Sequence, residues 1–155
     1  MLKIRTATPD DAKLMASLEQ RIFPEDPWPA HDIASMAEMP YIFSFIVEDA
    51  DEPIGYAMIQ GAPKSVADIL TIGVVPEHRR KGGAEALLEA MFDAVRKIGV
   101  ETVYLEVRES NEGAHKFYEK HGGEFEGKRP RYFRALEGMP AEDAFVYRFA
   151  LTESE

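Results

Sequence analysis

The run ILTIGVV at 69–75 passes through the short turn PEHRRKGG into a long amphipathic segment, AEALLEAMFDAVRKI, and this junction limits the folds open to the chain more than any other feature. From Gly82 to about Ile98, Ala84, Leu87, Leu88, Met91, Phe92, Val95 and Ile98 recur at helical spacing, which predicts a helix with one face packed on a sheet. ETVYLEVRES follows, with Val103, Leu105 and Val107 on one side of a strand and Tyr104, Glu106 and Arg108 on the other. Strand, helix and strand in that order predict a right-handed crossover between parallel strands. The fold class is therefore α/β with a mixed sheet.

The turn itself is unusual. A helix start carries partial positive charge and unpaired N–H groups, so Arg79, Arg80 and Lys81 stand where acidic residues are favoured. The first predicted helix of the same chain is written differently: Thr8-Pro9-Asp10-Asp11 supplies a cap, a proline at the first helical position and an acid at the capping-box place. Between Arg79 and Ala84 no Ser, Thr, Asp or Asn is available as a cap. Gly82 and Gly83 leave the backbone open to a ligand, and the neighbouring cations suit a phosphate or pyrophosphate. A solvated helix end, with the glycines serving only a turn, accounts for the same residues. The turn contains neither G-x-x-x-x-G-K-[ST] nor G-x-G-x-x-G. Gly73 interrupts a β-rich strand and predicts a bulge or a close approach by ligand or backbone.

LKIRTA predicts a strand, and a helix through Leu14, Met15, Leu18 and Ile22 follows, with a shorter one after Pro29. YIFSFIVED and PIGYAMIQGAP predict two strands joined by the acidic turn 49–52. A short helix is expected from Asn111 to His121, with Ala114, Phe117, Tyr118 and His121 in one stripe, then strands near 124–134 and 144–151. No repeat or linker interrupts the chain, so residues 1–155 are expected to form a single domain. With 45% apolar residues the core needs no staple, and the lack of cysteine fits a reducing, cytoplasmic setting. No apolar run approaches the roughly 20 residues that span a bilayer, so no membrane association is expected. A net charge of −10 argues against direct nucleic-acid binding and suits a basic or amine-bearing partner, or merely a soluble surface. The four histidines show no metal-ligand spacing; no metal is expected, and solvent or capping roles are.

Specific motifs then carry a resemblance. R-R-K-G-G-A at 79–84 resembles the acetyl-CoA pyrophosphate motif [QR]-x-x-G-x-[GA] of the GNAT N-acetyltransferases. ATPDDAKLMASLEQRIFPEDPW, DILTIGVVPEHRRKGGAEALL, YLEVRESNEGAHKFYEKHG and RPRYF with EDAFVY, in that order, are similar to the RimI-type ribosomal-protein alanine N-acetyltransferases. The resemblance implies a GNAT fold of the α/β (α+β) class: a mixed, mostly antiparallel sheet of about six to seven strands, a parallel strand-helix-strand core and helices on both faces. It implies acetyl-CoA as cosubstrate and a peptide or protein N-terminus as acceptor, with a ribosomal protein among the candidates. Oligomeric state, monomer or homodimer, stays open.

Position by position, the resemblance places Ile72, Gly73 and Val74 at the acetyl and pantetheine end of the cosubstrate, Arg79, Arg80, Lys81, Gly82, Gly83, Ala84 and Glu85 at its pyrophosphate, and Asn111 on it. Asn111 equally suits a helix cap. Glu106, the glutamate of LEVR, matches the family's general base; as a sheet-surface carboxylate it could also serve only to pair with Arg108 or another cation. Tyr118, in FYE, matches the general acid, since a phenol of pKa about 10 is protonated at neutral pH; it also fits a core aromatic. An α-amine of pKa about 7.7–8.0 is far easier to deprotonate than a lysine of about 10.4, which makes a carboxylate base adequate. Tyr132 matches a tyrosine near the acceptor, and Glu19, Glu25, Asp26 and Trp28 lie in segments that border the acceptor in this fold.

Three departures bear on these expectations. Gly83 replaces a common aliphatic residue, Gly123 stands where phenylalanine usually follows, and R-P-R-Y-F replaces R-x-Y-Y, putting Pro130 and Phe133 where the acceptor pocket would be lined. An acetyltransferase of a small amine, such as a polyamine, aminoglycoside or amino-acid-like compound, a non-catalytic acyl-CoA-binding module and an interaction domain for an acidic partner remain the alternatives.

Overall fold

A computed structural model describes residues 1–133 and 140–151. Their strands form one seven-stranded sheet: β1 (Leu2–Thr6), β2 (Ile42–Asp49), β3 (Glu52–Gly61), β4 (Ala67–Val74), β5 (Thr102–Arg108), β6 (Glu124–Phe133) and β7 (Glu142–Ala150), in spatial order β1-β2-β3-β4-β5-β7-β6. The helices are α1 (Ala12–Ile22), α2 (Ala30–Ala37), α3 (Gly83–Arg96) and α4 (Glu112–Lys120). Every neighbouring pair is antiparallel except β4 and β5, the pair joined by the α3 crossover. The expected mixed sheet is thus present, and each predicted element lies within a few residues of its place. Arg134, the expected end of β6, lies outside the described residues. No helix among the described residues is long and apolar enough to cross a membrane.

Helix α3 buries Leu87, Leu88, Met91, Phe92 and Val95 on one face of the sheet, and α1 buries Met15, Leu18 and Ile22 on the other. Alternation along the strands shows the two faces. A Cβ at Gly61 would meet Val95 of α3 at 3.3 Å, whereas a Cβ at Gly73 would come within 2.5 Å of Ile22 in α1. Gly73 is therefore required by a helix side chain, not by a bulge at its own position. The bulge in β4 lies three residues earlier: Ile59 pairs with Ile69 and Met58 with Thr71, which leaves Leu70 as an extra residue. That insertion reverses the facing of β4, so Ala67 lies toward α3 while Thr71 and Gly73 lie toward α1.

The β4–β5 pairing is brief. Only Ala67 with Val103 and Asp68 with Tyr104 are in register, and past them the parallel strands diverge. From Ile69 to Val74, the edge of β4 turned toward β5 has no strand partner among the described residues, although β3 still covers the other edge. Unpaired edge groups of this kind invite an added chain. The sheet has an opening at its centre.

β3 and β4 approach closely enough that a Cβ at Gly55 would sit 2.5 Å from the Gly73 carbonyl oxygen. Gly55→Ala is expected to destabilise the protein by about 1–3 kcal/mol through overpacking, read as a lower urea midpoint with an unchanged slope.

Candidate active site

The two faces of the sheet bring different residues to the opening. Glu106 and Arg108 alternate with the buried Val103, Leu105 and Val107, and Arg108 donates to Asp26 of the α1–α2 loop at 3.1 Å, so these polar residues lie on the α1 face. Tyr118 of α4 packs edge-on against Phe149, which in turn packs at a tilt against Phe92 of α3, so the tyrosine lies on the opposite face. Glu106, on β5 just past its pairing with β4, and Tyr118, packed on β7 beside β5, thus lie on opposite faces of the sheet.

Helix α3 starts without a side-chain cap, on Gly82 in the left-handed region at φ 89°. Among the described residues, the backbone N–H groups of Arg80 through Glu85 have no acceptor within the protein. Among the described residues, a Cβ at Gly82 would find only Leu2 within 4 Å, at 3.8 Å, so the turn is open as well as uncapped. Gly83 has a packing reason: a Cβ there would approach Val74 Cγ2 to 3.1 Å, and Val74 together with Val47 fills the space that an aliphatic residue would need.

The three cations have separate roles. Arg79 turns back, its Nε donating to the Val74 carbonyl at 3.0 Å, and Lys81 pairs with Asp49 at 3.3 Å. Arg80, at φ 67°, is exposed and, among the described residues, has no ion-pair partner. The open N–H groups, the glycine at positive φ and one free guanidinium fit a diphosphate. Ile72, Gly73 and Val74 lie on the β4 segment whose edge is free, so a pantetheine chain would find unpaired backbone groups there.

Glu106 keeps 18% of its side-chain surface exposed, and its Oε1 accepts from Arg129 of β6 at 2.8 Å. The Arg129 guanidinium lies 4.6 Å over the Tyr132 ring. Burial, followed by the Glu106 charge, raises the Tyr132 pKa, while burial raises that of Asp68 against the pull of Arg129. Asp68, Glu106, Arg129 and Tyr132 thus form one cluster, of which sequence reasoning named Glu106 and Tyr132. The expected alternative partner Arg108 is engaged elsewhere, with Asp26 and Glu142, and sits 4.5 Å over Phe133. Trp28 and Tyr132 are exposed at 40% and 47%, and Glu25 is exposed at the same α1–α2 loop.

Tyr118 is 7% exposed, and burial raises its pKa well above the usual phenol value. Among the described residues nothing hydrogen-bonds its hydroxyl, yet the hydroxyl is not sealed from solvent, so it can donate to an arriving ligand. Asn111 does cap α4, its Oδ1 accepting from the Ala114 N–H at 3.1 Å, which leaves its amide nitrogen to donate elsewhere. Glu19, read as a residue bordering the acceptor, is instead buried at 2% exposure. His115 is likewise buried rather than solvated or capping: Nε2 donates to the Glu109 carbonyl at 2.9 Å and Nδ1 lies 2.8 Å from the Tyr147 hydroxyl. That hydroxyl donates to Glu119 at 3.0 Å, and burial first, then Glu119, pushes the Tyr147 pKa up to about 12.

The profile of the Acetyltransferase (GNAT) family matches residues 12–123. The chain belongs to the GNAT acetyltransferase family. Membership makes it an acyltransferase of a family that uses acetyl-CoA as cosubstrate. It is 32% identical over 149 residues to N-alpha-acetyltransferase RimI of Mycobacterium tuberculosis, an alignment covering 94% of this chain and 90% of that protein. It is 35% identical over 149 residues to an uncharacterized protein of Mycobacterium leprae, covering 94% of this chain but 40% of that longer protein. The crystal structure of the ribosomal-protein-S18-alanine N-acetyltransferase from Escherichia coli superposes with a TM-score of 0.88 at 28% identity, covering 100% of this chain and 97% of that one.

Removing the free guanidinium of this GNAT chain with Arg80→Ala is expected to weaken coenzyme A binding about tenfold, or about 1.4 kcal/mol, by calorimetry. Lys81→Ala, which removes a cation already paired with Asp49, is expected to change it about threefold at most.

Proposed function

We propose that this protein transfers acetyl from acetyl-CoA to the α-amine of a peptide or protein N-terminus, with an N-terminal alanine of a ribosomal protein as the leading acceptor. The observation that carries this reading is that Glu106 and Tyr118 lie on opposite faces of the sheet beside the strand that parts from β4. A group transfer through the sheet needs a proton acceptor on the amine side and a proton donor on the sulfur side. The names of the relatives supply the acceptor class.

Acetyl-CoA supplies the acyl group as a thioester, whose carbonyl carbon bonds to the amine nitrogen while the C–S bond breaks. Arg129 holds Glu106 Oε1 and leaves Oε2 to face the amine, so the carboxylate takes up the proton that the nitrogen loses. Tyr118, kept protonated by burial, gives its hydroxyl proton to the departing sulfur. Backbone N–H groups on the free edge of β4 polarise the carbonyl as oxyanion donors. The uncapped turn Arg80–Glu85 and the amide nitrogen of Asn111 anchor the cosubstrate. Trp28, Glu25 and Tyr132 line the approach of the acceptor from the α1 face.

The direct test is incubation with acetyl-CoA and a peptide beginning in alanine, following thiol release and peptide mass. One added acetyl group on the α-amine supports the reading. Thiol release only with polyamines or aminoglycosides moves the acceptor to a small amine, and coenzyme A binding without turnover on any amine makes the protein a binding module.

Glu106→Gln is expected to lower kcat/KM by about 10²–10³-fold, most strongly below neutral pH, where an α-amine of pKa about 7.7–8.0 is mostly protonated. Coenzyme A affinity stays within about twofold, which steady-state kinetics alongside calorimetry resolves. Tyr118→Phe is expected to lower kcat by at least about tenfold while leaving the acceptor KM in place.

A further inference from the structure

Glu19 is a buried carboxylate with, among the described residues, no cation beside it. Such a charge is costly unless its oxygens are saturated by hydrogen bonds. Here they are shared between two parts of the fold. Oε1 accepts from the Tyr56 hydroxyl at 2.6 Å and the Thr71 hydroxyl at 3.0 Å, while Oε2 accepts from the Trp28 backbone N–H at 3.0 Å. Burial and then the Glu19 charge raise the Tyr56 pKa, which keeps that phenol protonated and donating.

The three donors have different loyalties. Thr71 follows the bulged Leu70 and precedes Ile72, so it sits in the part of β4 that has left β5 and has only β3 to hold it. Trp28 belongs to the α1–α2 loop, next to the Arg108–Asp26 contact, on the face where the acceptor would arrive. One carboxylate at the last turn of α1 therefore fastens the cosubstrate strand with one oxygen and the acceptor loop with the other. We propose that Glu19 is a positioning residue that sets the acceptor loop against the free segment of β4 through these separate oxygens. This deepens the α-amine acetyltransferase reading and rests on it for its kinetic consequence, although the mechanical claim stands on the hydrogen bonds alone.

The chemistry separates the two attachments by mutation. In Glu19→Gln the amide oxygen can still accept from Tyr56 and Thr71, but the amide nitrogen meets the Trp28 N–H donor to donor. The loop is released while β4 stays tied. Thr71→Val does the reverse, removing the β4 hydroxyl and leaving Oε2 with Trp28, and Thr71→Ser restores it.

The experiment uses the full chain, with Trp28 as the single tryptophan and hence the sole indole reporter. Acrylamide quenching of Trp28, coenzyme A affinity by calorimetry and acceptor KM with an N-terminal alanine peptide are measured for all four proteins, after urea melts show each folded. Glu19→Gln is expected to raise quenching about twofold and acceptor KM about tenfold with coenzyme A affinity within about twofold of the parent. Thr71→Val is expected to weaken coenzyme A about threefold to tenfold with parental quenching, and Thr71→Ser to match the parent. Parental quenching in Glu19→Gln, or loss of both properties together in either variant, overturns the proposal. If no peptide is acetylated by the parent protein, the acceptor reading fails by itself, and the contrast in Trp28 quenching and coenzyme A affinity still decides the role of Glu19.

Discussion

The site depends on two parallel strands that stop pairing after two residues. In most sheets an interior strand satisfies its backbone on both edges, and an interruption leaves polar groups unpaired at a cost of about 1–3 kcal/mol each when buried. Here β4 and β5 separate beyond Asp68 and Tyr104, and the fold offsets the break from the sides. β3 continues to cover the far edge of β4, β7 covers the far edge of β5 along its whole length, and Glu19 ties Thr71 to α1. The extra residue at Leu70 turns the end of β4 over, bringing Thr71 and Gly73 to the α1 face. What results is a gap in strand pairing between β4 and β5 at the centre of the sheet. Under the proposed function, that gap is where cosubstrate and acceptor would meet from the two faces of the sheet.

Charge is arranged around the gap in the same divided manner. A chain with a net charge of −10 concentrates three cations at one helix start, but two of them are consumed locally by the Val74 carbonyl and Asp49. Among the described residues, the backbone N–H groups of the turn and the Arg80 guanidinium remain unpaired. On the opposite face the carboxylates of Asp26, Glu106 and Glu142 are held by Arg108 and Arg129, and each guanidinium lies over an aromatic ring. Fixed in this way, side chains that would otherwise lose rotamer freedom on binding are already ordered.

The strand-helix-strand crossover was legible because the apolar period changes from two to 3.6 across a short turn, and the uncapped helix start was legible by contrast with Thr8 and Asp11, which do form their capping box. Contacts between residues far apart in sequence were not. Gly73 was readable as special, but its cause, the Ile22 side chain, lies about 50 residues away in the chain and has no local signature. Leu70 gives no sign of a bulge, since leucine suits a regular strand equally well. Arg129 meets Glu106 across 23 residues of sequence, and the pairing exists only because β6 and β5 both flank β7. His115 lay outside the expected stripe of Ala114, Phe117, Tyr118 and His121, and its burial depends on Tyr147 and the Glu109 carbonyl. Glu19 was placed near the acceptor by resemblance; its saturation by three donors from separate elements required the fold.

The central claim is that the divergence of β4 and β5 is a binding slot. A crystal structure of the protein with coenzyme A tests it most directly. The account predicts the diphosphate on the N–H groups of Arg80 to Glu85, the pantetheine chain hydrogen-bonded to the free edge of β4, and the sulfur near the Tyr118 hydroxyl. Coenzyme A bound elsewhere on the molecule, with β4 and β5 paired along their full length, would contradict it.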